Sequence, residues 1–156
     1  MNTALLQRGI SLSAQPVAWL NALQPVLLLL VRLYIAWIFF ASGLTKIDDW
    51  GTTLALFQDE YQVPLLPPAL AAFMGASGEL LLPPLLVLGL AGRFAALGLF
   101  VVNAMAVISY PALFQFDCPA AIQSHYFWGA SLLGLAAFGP GTLSLDAWLM
   151  RRFKHV

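Results

Sequence analysis

Apolar residues run along this chain in four long blocks, parted by short breaks rich in glycine, proline or charge. The blocks cover about residues 26–44, 69–90, 94–113 and 119–138. Each is close to the roughly 20 residues an α-helix needs to cross a bilayer. Pro25 and Pro119 stand where a helix tolerates proline best, in the first turn. Gly92-Arg93 is too short a break for anything but a tight antiparallel hairpin between the second and third blocks. The pattern predicts an all-α, polytopic membrane protein, a bundle of four transmembrane helices formed by residues 25–143. Residues 1–24 read as a cytoplasmic or interfacial tail, with a short interfacial helix over 17–23 between Pro16 and Pro25. Residues 47–64 break the apolar character. Asp48, Asp49, Asp59 and Glu60 make them acidic, while Leu54, Leu56, Phe57 and Tyr61 recur at helical spacing, as in a short helix lying on the membrane surface. After Gly139-Pro140-Gly141, Ser144 can cap a short tail helix over 145–152 with Leu145, Trp148 and Leu149 on one face, so 144–156 reads as an interfacial tail.

Composition sharpens this picture. Of 156 residues, 61% are hydrophobic and 9% charged, where a soluble domain carries about 25% charged residues. Mean hydropathy is +0.85. The formal net charge is zero, which gives nucleic acid nothing to bind. A single cysteine, Cys118, excludes an intrachain disulfide and a cysteine-rich metal cluster. With one basic residue, Arg8, and no small-residue cleavage pattern, the opening segment does not read as a signal peptide. Arg8, Arg93, Arg151, Arg152 and Lys154 fall on one side of the predicted bundle, and the acidic loop on the other. The positive-inside rule then places both termini and the Arg93 turn in the cytoplasm, in agreement with an even number of spans.

Five polar residues lie in or at the edge of the predicted spans: Arg32, Lys46, Glu79, Asn103 and His125. At about 1.5 Å per residue, Glu79 and His125 each lie roughly 21 Å from the cytoplasmic helix ends, Arg32 roughly 9 Å, Asn103 roughly 15 Å and Lys46 roughly 30 Å. An ionisable group at such depth must be paired, neutral or wet. Two readings stand side by side. In one, Arg32 and Glu79 form a structural ion pair that fixes helix register. In the other, Glu79, Lys46 and His125 line one pocket, a proton or ligand site, with Lys46 leaning inward on its long stem. Pro83 and Pro84 free the carbonyls of Glu79 and Leu80 and predict a bend that opens space beside the acid. Asn103 reads as a bridge between helices, and Gly75 and Gly78 as close-packing positions. A lone histidine is more often a surface or satisfied core residue than a ligand, so no metal site is assigned. Tyr34, Trp37, Trp50, Tyr61, Trp128 and Trp148 read as interfacial anchors.

Three stretches carry a resemblance. Arg32-Leu33-Tyr34 leading to Phe39-Phe40-Ala41-Ser42-Gly43-Leu44-Thr45-Lys46 resembles the first span of the DoxX family. Gly78-Glu79-Leu80 leading to Gly89-Leu90 and Arg93 is similar to the second, and Gly139-Pro140-Gly141-Thr142-Leu143-Ser144-Leu145-Asp146 to the family's ending. The resemblance covers about residues 26–146. It implies a small four-helix protein of the bacterial inner membrane. The family includes a subunit linked to thiosulfate:quinone oxidoreduction and members associated with thiol redox and oxidative-stress proteins. The implied role is a quinone-linked or redox-associated membrane subunit. The alternative is a non-enzymatic membrane anchor, or a small-solute or metal-handling partner of a peptide-maturation or stress-response system. Either way the implied partners are the lipid bilayer and another protein of the same pathway, with homo-oligomers left open. The cofactor is left open too, a quinone being the candidate. No catalytic residue is assigned, and the lack of paired cysteines argues against direct thiol chemistry.

Overall fold

The computed structural model describes residues 3–115 and 120–153, and of residues 3–13 the backbone alone. Six α-helices follow one another: α1 (Thr3–Asp48), α2 (Trp50–Asp59), α3 (Pro68–Leu88), α4 (Gly92–Ser109), α5 (Ala120–Phe138) and α6 (Leu145–Phe153). One turn of 3-10 helix, Pro111–Phe114, follows α4. No strand occurs among the described residues. Three helical stretches are long and apolar enough to cross a membrane: Ala14–Asp48, Pro68–Leu88 and Gly92–Ser109. α5 has 19 residues, about 28 Å. Gln123, Ser124, His125 and Tyr126 lower the hydropathy of its first half.

α1 packs chiefly on α3, α3 on α4, and α4 on α5, while α2 lies against α3. Each buried stripe repeats every three or four residues, the period of a helix face. On α1 it is Arg32, Ile35, Ala36, Phe39 and Gly43. On α3 it is Ala72, Ala76, Glu79, Pro83 and Leu86, and on α4 it is Ala95, Ala96, Leu99 and Asn103. The apolar core of Ile35, Phe39, Leu86, Leu99, Leu132 and Leu135 fills the space between them. The outward faces carry large apolar side chains such as Trp37, Leu81, Phe94 and Val101, as befits a surface solvated by lipid.

Glycines set how closely the helices approach. A β-carbon on Gly43 would come within 2.9 Å of the Leu80 side chain and 3.1 Å of Glu79 Cβ, so α1 and α3 touch beside the acid. A β-carbon on Gly78 would meet Val102 at 3.0 Å, and one on Gly98 would meet Leu82 at 2.7 Å. α3 and α4 are thus clamped over their lower halves. Their hairpin turn is a Schellman cap: Gly89 is left-handed, and Gly89 and Leu90 donate to the carbonyls of Leu86 and Leu85.

Several boundaries differ from the sequence expectation. α1 is one helix of 46 residues, about 69 Å long, and runs through Pro16 and Pro25. A tail and a separate span were expected there. Each proline removes one backbone bond and crowds the carbonyl four residues back, and the helix nevertheless runs through both. The break over 47–64 contains α2, capped by Asp49, whose carboxylate accepts from Thr52 N at 2.9 Å and Thr52 Oγ1 at 2.6 Å. Those bonds hold the Asp49 carboxyl below its ordinary value. α4 ends at Ser109, four residues before the expected end of the third block, because Pro111 cannot continue it. Asp117, Cys118, Pro119 and Lys154 lie outside the described residues, so the expected first-turn proline of α5 does too.

Candidate functional site

Glu79 sits in the middle of the buried stripe of α3, 7% exposed. Close contact at Gly43 brings Ser42 and Lys46 of α1 beside it. A helical side chain leans toward the helix N-terminus, so Lys46 reaches back one turn. Its Nζ donates to Ser42 Oγ at 2.9 Å and to Glu79 Oε2 at 2.7 Å. The pair is shielded, with the lysine side chain 20% and the glutamate side chain 9% exposed. The lysine's own carbonyl accepts from Thr53 Oγ1 of α2 at 2.9 Å, which ties α2 over the site.

Across the bundle, Asn103 of α4 joins α5. Its Nδ2 donates to the His125 carbonyl at 3.0 Å, and its Oδ1 faces His125 Nδ1 at 3.0 Å. An amide oxygen only accepts, so Nδ1 carries a proton and Nε2 is the nitrogen left for a ligand. The imidazole also packs edge-on against Trp128, with ring centres 4.9 Å apart, and Trp128 against Phe39 at 6.1 Å.

These groups meet in one cavity of about 280 Å³, whose wall includes Ser42, Lys46, Glu79, His125, Tyr61 and Tyr110. A second cavity, of about 190 Å³, shares Lys46, Tyr61 and Glu79 with the first. Its other walls are nearly all apolar, apart from Ser109, whose buried hydroxyl has no hydrogen-bond partner among the described residues. Over the first cavity the two phenol rings of Tyr61 and Tyr110 stack edge to face at 5.1 Å, and Phe57 backs Tyr61 at 4.8 Å. The loop that carries Tyr61 is held to the end of α4 by Gln62 N donating to the Ser109 carbonyl at 2.7 Å.

Burial pushes the Tyr61 phenol above its ordinary value, and Tyr110, Glu79 and Glu60 push it the same way. It is therefore a neutral donor throughout the physiological range. The folded chain holds this proton more tightly than the unfolded chain, so stability falls as pH rises above about 10, the ordinary tyrosine value. The phenolate absorbance lost in Tyr61→Phe should titrate with a midpoint above that value; a midpoint at or below it would show the ring to be solvated.

Arg32 is elsewhere. It lies 14 residues, about 21 Å, down α1 from Lys46, buried to 1% exposure. Its Nη2 donates to the Leu143 carbonyl at 2.6 Å. Nε and Nη1 have no partner among the described residues, and Asp146 supplies a nearby negative charge. The expected Arg32–Glu79 pair does not form, because the α1–α3 register sets Arg32 against Gly89 and Gly43 against Glu79. The segment from Gly139 to Asp146 is a latch for this end of the bundle. Asp146 accepts from Ala91 N and Gly92 N, both at 2.8 Å, and so caps α4. Ser144 Oγ accepts from Ala147 N at 3.2 Å and caps α6. Arg93 donates to the carbonyls of Ala136 and Ala137 at the end of α5.

Two further expectations are corrected. Pro83 and Pro84 do not border the Glu79 cavities; they line a separate groove against Leu33, Ala36, Trp37 and Phe40 on the outer side of α1 and α3. Trp128 and Tyr61, taken as interfacial anchors, are cavity walls. No signal in the sequence separates an aromatic at a span end that faces lipid from one that faces inward. Ser42, Tyr110 and Ser109 were not singled out. Ser42 was accessible from the sequence, four residues before Lys46 and on its face. Among the described residues, no three side chains of the metal-ligating types come together.

An all-helical chain with three lipid-compatible helices and a buried ion pair between two of them is a membrane protein built around an internal polar site. Residues 27–112 match the DoxX family, and the chain belongs to it. A protein of Haemophilus influenzae, itself described as uncharacterized, is 33% identical over 131 residues, 81% of this chain and 85% of that one. No solved structure matches.

Proposed function

We propose that the protein is a quinone-linked membrane subunit whose cavity holds a single-ring head group between Lys46, Glu79, His125 and Tyr61. The observation that carries this reading is the meeting of an ammonium–carboxylate pair, an oriented imidazole and a neutral phenol in one otherwise apolar cavity. Its volume of about 280 Å³ is at the small end of ligand pockets, suited to one ring. The two oxygens of such a head need hydrogen-bond donors, which Lys46 Nζ and the Tyr61 hydroxyl supply. A quinone when bound takes up electrons and protons. Glu79 and His125 Nε2 are the groups here that can hold a proton at that place, and the electrons are those of a redox partner in the same pathway. Mass spectrometry of lipids extracted from the chain purified in mild detergent tests this. The expected result is a quinone in near-stoichiometric amount, lost in Glu79→Gln. Phospholipid alone, together with a stably bound soluble protein and no redox change, would instead support the anchor or partner reading.

The same proposal includes the topology: α1, α3, α4 and α5 cross the inner membrane with both termini cytoplasmic. Asp146 lies on the α3–α4 turn, so Arg93, Arg151 and Arg152 gather at one end of the bundle, and Asp48, Asp49, Asp59 and Glu60 belong to the other. The positive-inside rule orients that pair of ends. Reporter fusions after Arg93 and at the C-terminus are expected to read cytoplasmic, and one near Gly51 extracytoplasmic. A C-terminal fusion active outside would overturn the arrangement.

A further inference from the structure

We infer that the ligand carries an apolar chain, that this chain lies in the second cavity between the upper halves of α3 and α4, and that it passes to lipid between Met74 and Val101. This rests on the head-group reading above and adds a chain, a path and a portal.

The α3–α4 hairpin supplies the argument. Gly78 faces Val102, and Gly98 faces Leu82, in close contact. Continuing that register upward sets Gly75 opposite Met105 and Ala71 opposite Ser109. The clamp does not continue there, since a β-carbon on Gly75 would have no atom of α4 within 4 Å. Instead the two helices leave a cavity of about 190 Å³ whose wall includes Ala71, Met74, Gly75, Val101 and Met105. Phe57 of α2 closes it from above and stands against Gly75, where a β-carbon would meet the ring at 3.7 Å.

Three features make this a place for a chain and not a packing defect. The cavity adjoins the head-group cavity, since Lys46, Tyr61, Glu79, Val102 and Ala106 line both. Apart from Ser109 and the shared Lys46, Tyr61 and Glu79 its wall is apolar, which suits a hydrocarbon chain better than bulk water. Met74 and Val101 are 53% and 58% exposed, on the outward faces of their helices, so the cavity reaches the lipid surface of the bundle. Methionine is unbranched and flexible, and two of the chain's four methionines, Met74 and Met105, line this path. They can move aside for a passing chain where branched residues could not. A ligand that dissolves in the bilayer therefore needs no aqueous entry. It arrives sideways, head first, and leaves its chain in the cleft.

The test uses the full chain in lipid nanodiscs and a ubiquinone analogue with a photoreactive diazirine at the end of a ten-carbon chain. Excess ubiquinone-0, which has the head and no chain, is the competitor. The expected label falls on residues 74, 101 and 105, drops at least tenfold with competitor, and is absent in Glu79→Gln. A label that the competitor removes but that falls in the α1–α3 groove at Leu33, Trp37 or Leu88 would overturn the portal and leave the head site standing. A label that the competitor does not touch, spread over the lipid faces, would overturn both. Entry is tested separately with Met74→Trp/Val101→Trp. Both positions are on the lipid face, so the bundle tolerates the bulk. Binding of the chain-bearing probe should slow at least tenfold, and an unchanged rate would overturn the portal.

Discussion

Glu79→Ala is expected to destabilise the bundle by about 3–5 kcal/mol, the usual cost of leaving one member of a buried ion pair behind. The reason lies in what remains. Lys46 Nζ keeps one acceptor, Ser42 Oγ at 2.9 Å, and a neutral hydroxyl does not balance an ammonium at that depth. Glu79→Gln keeps the shape and one amide oxygen within reach of Nζ, so it should be clearly milder. Removing both charges, as in Lys46→Met/Glu79→Leu, should recover most of the loss, since an apolar pair of similar volume is often as stable as the ion pair it replaces. Thermal unfolding of the four proteins in one detergent gives the ranking. Equal midpoints for wild type and Glu79→Ala would show that the carboxylate is solvated and that the pair contributes nothing to the fold.

Gly89→Ala should be the other severe substitution, although it adds a single methyl group. Gly89 has φ of 65°, and a non-glycine residue held in that region costs about 1–3 kcal/mol. The new β-carbon would also run into Arg32 Nη1 and Ser144 Cβ, and overpacking of this kind costs about 1–3 kcal/mol more. Arg32 has nowhere to retreat, being enclosed and bonded to the Leu143 carbonyl. Gly134→Ala is the natural control. It lies in α5 with nothing within 4 Å of the added carbon, so it should leave stability unchanged or slightly raised. Similar losses at the two positions would mean that the α3–α4 turn is not packed on the arginine.

What could be read from the sequence was whatever depends on periodicity and chain length. The α3–α4 hairpin at Gly92-Arg93, the short acidic helix α2 and the Ser144-capped α6 all follow from local signals. The five buried or half-buried polar residues were visible because each interrupts an apolar block. Their pairing was not. Heights counted from helix ends allow Glu79 to meet Arg32 from below or Lys46 from above, and both are single-bond outcomes of the same arithmetic. The choice is made where Gly43 lets α3 lie close against α1, with Glu79 and Leu80 at the contact. That is a property of two surfaces, and a glycine in an apolar run announces close packing without saying against what. The length of α1 was hidden for a different reason: proline marks a helix boundary only as a tendency, since it costs one bond and crowds one carbonyl, and here the helix absorbs both Pro16 and Pro25.

The latch at the Arg32 end also orders the protein's synthesis. Arg32 is made early and Leu143 and Asp146 late, yet the arginine's one described hydrogen bond is to Leu143 and the cap of α4 comes from Asp146. While the ribosome is still working on α5, the guanidinium of the first span and the amides of the α3–α4 turn must be served by water or lipid head groups. Only when the segment that carries Leu143 and Asp146 emerges can they be taken over by protein. Leu143 and Asp146 thereby mark this end of the bundle as assembled, and membrane quality control that senses exposed charge would have, in Arg32, a group that reports whether they have docked.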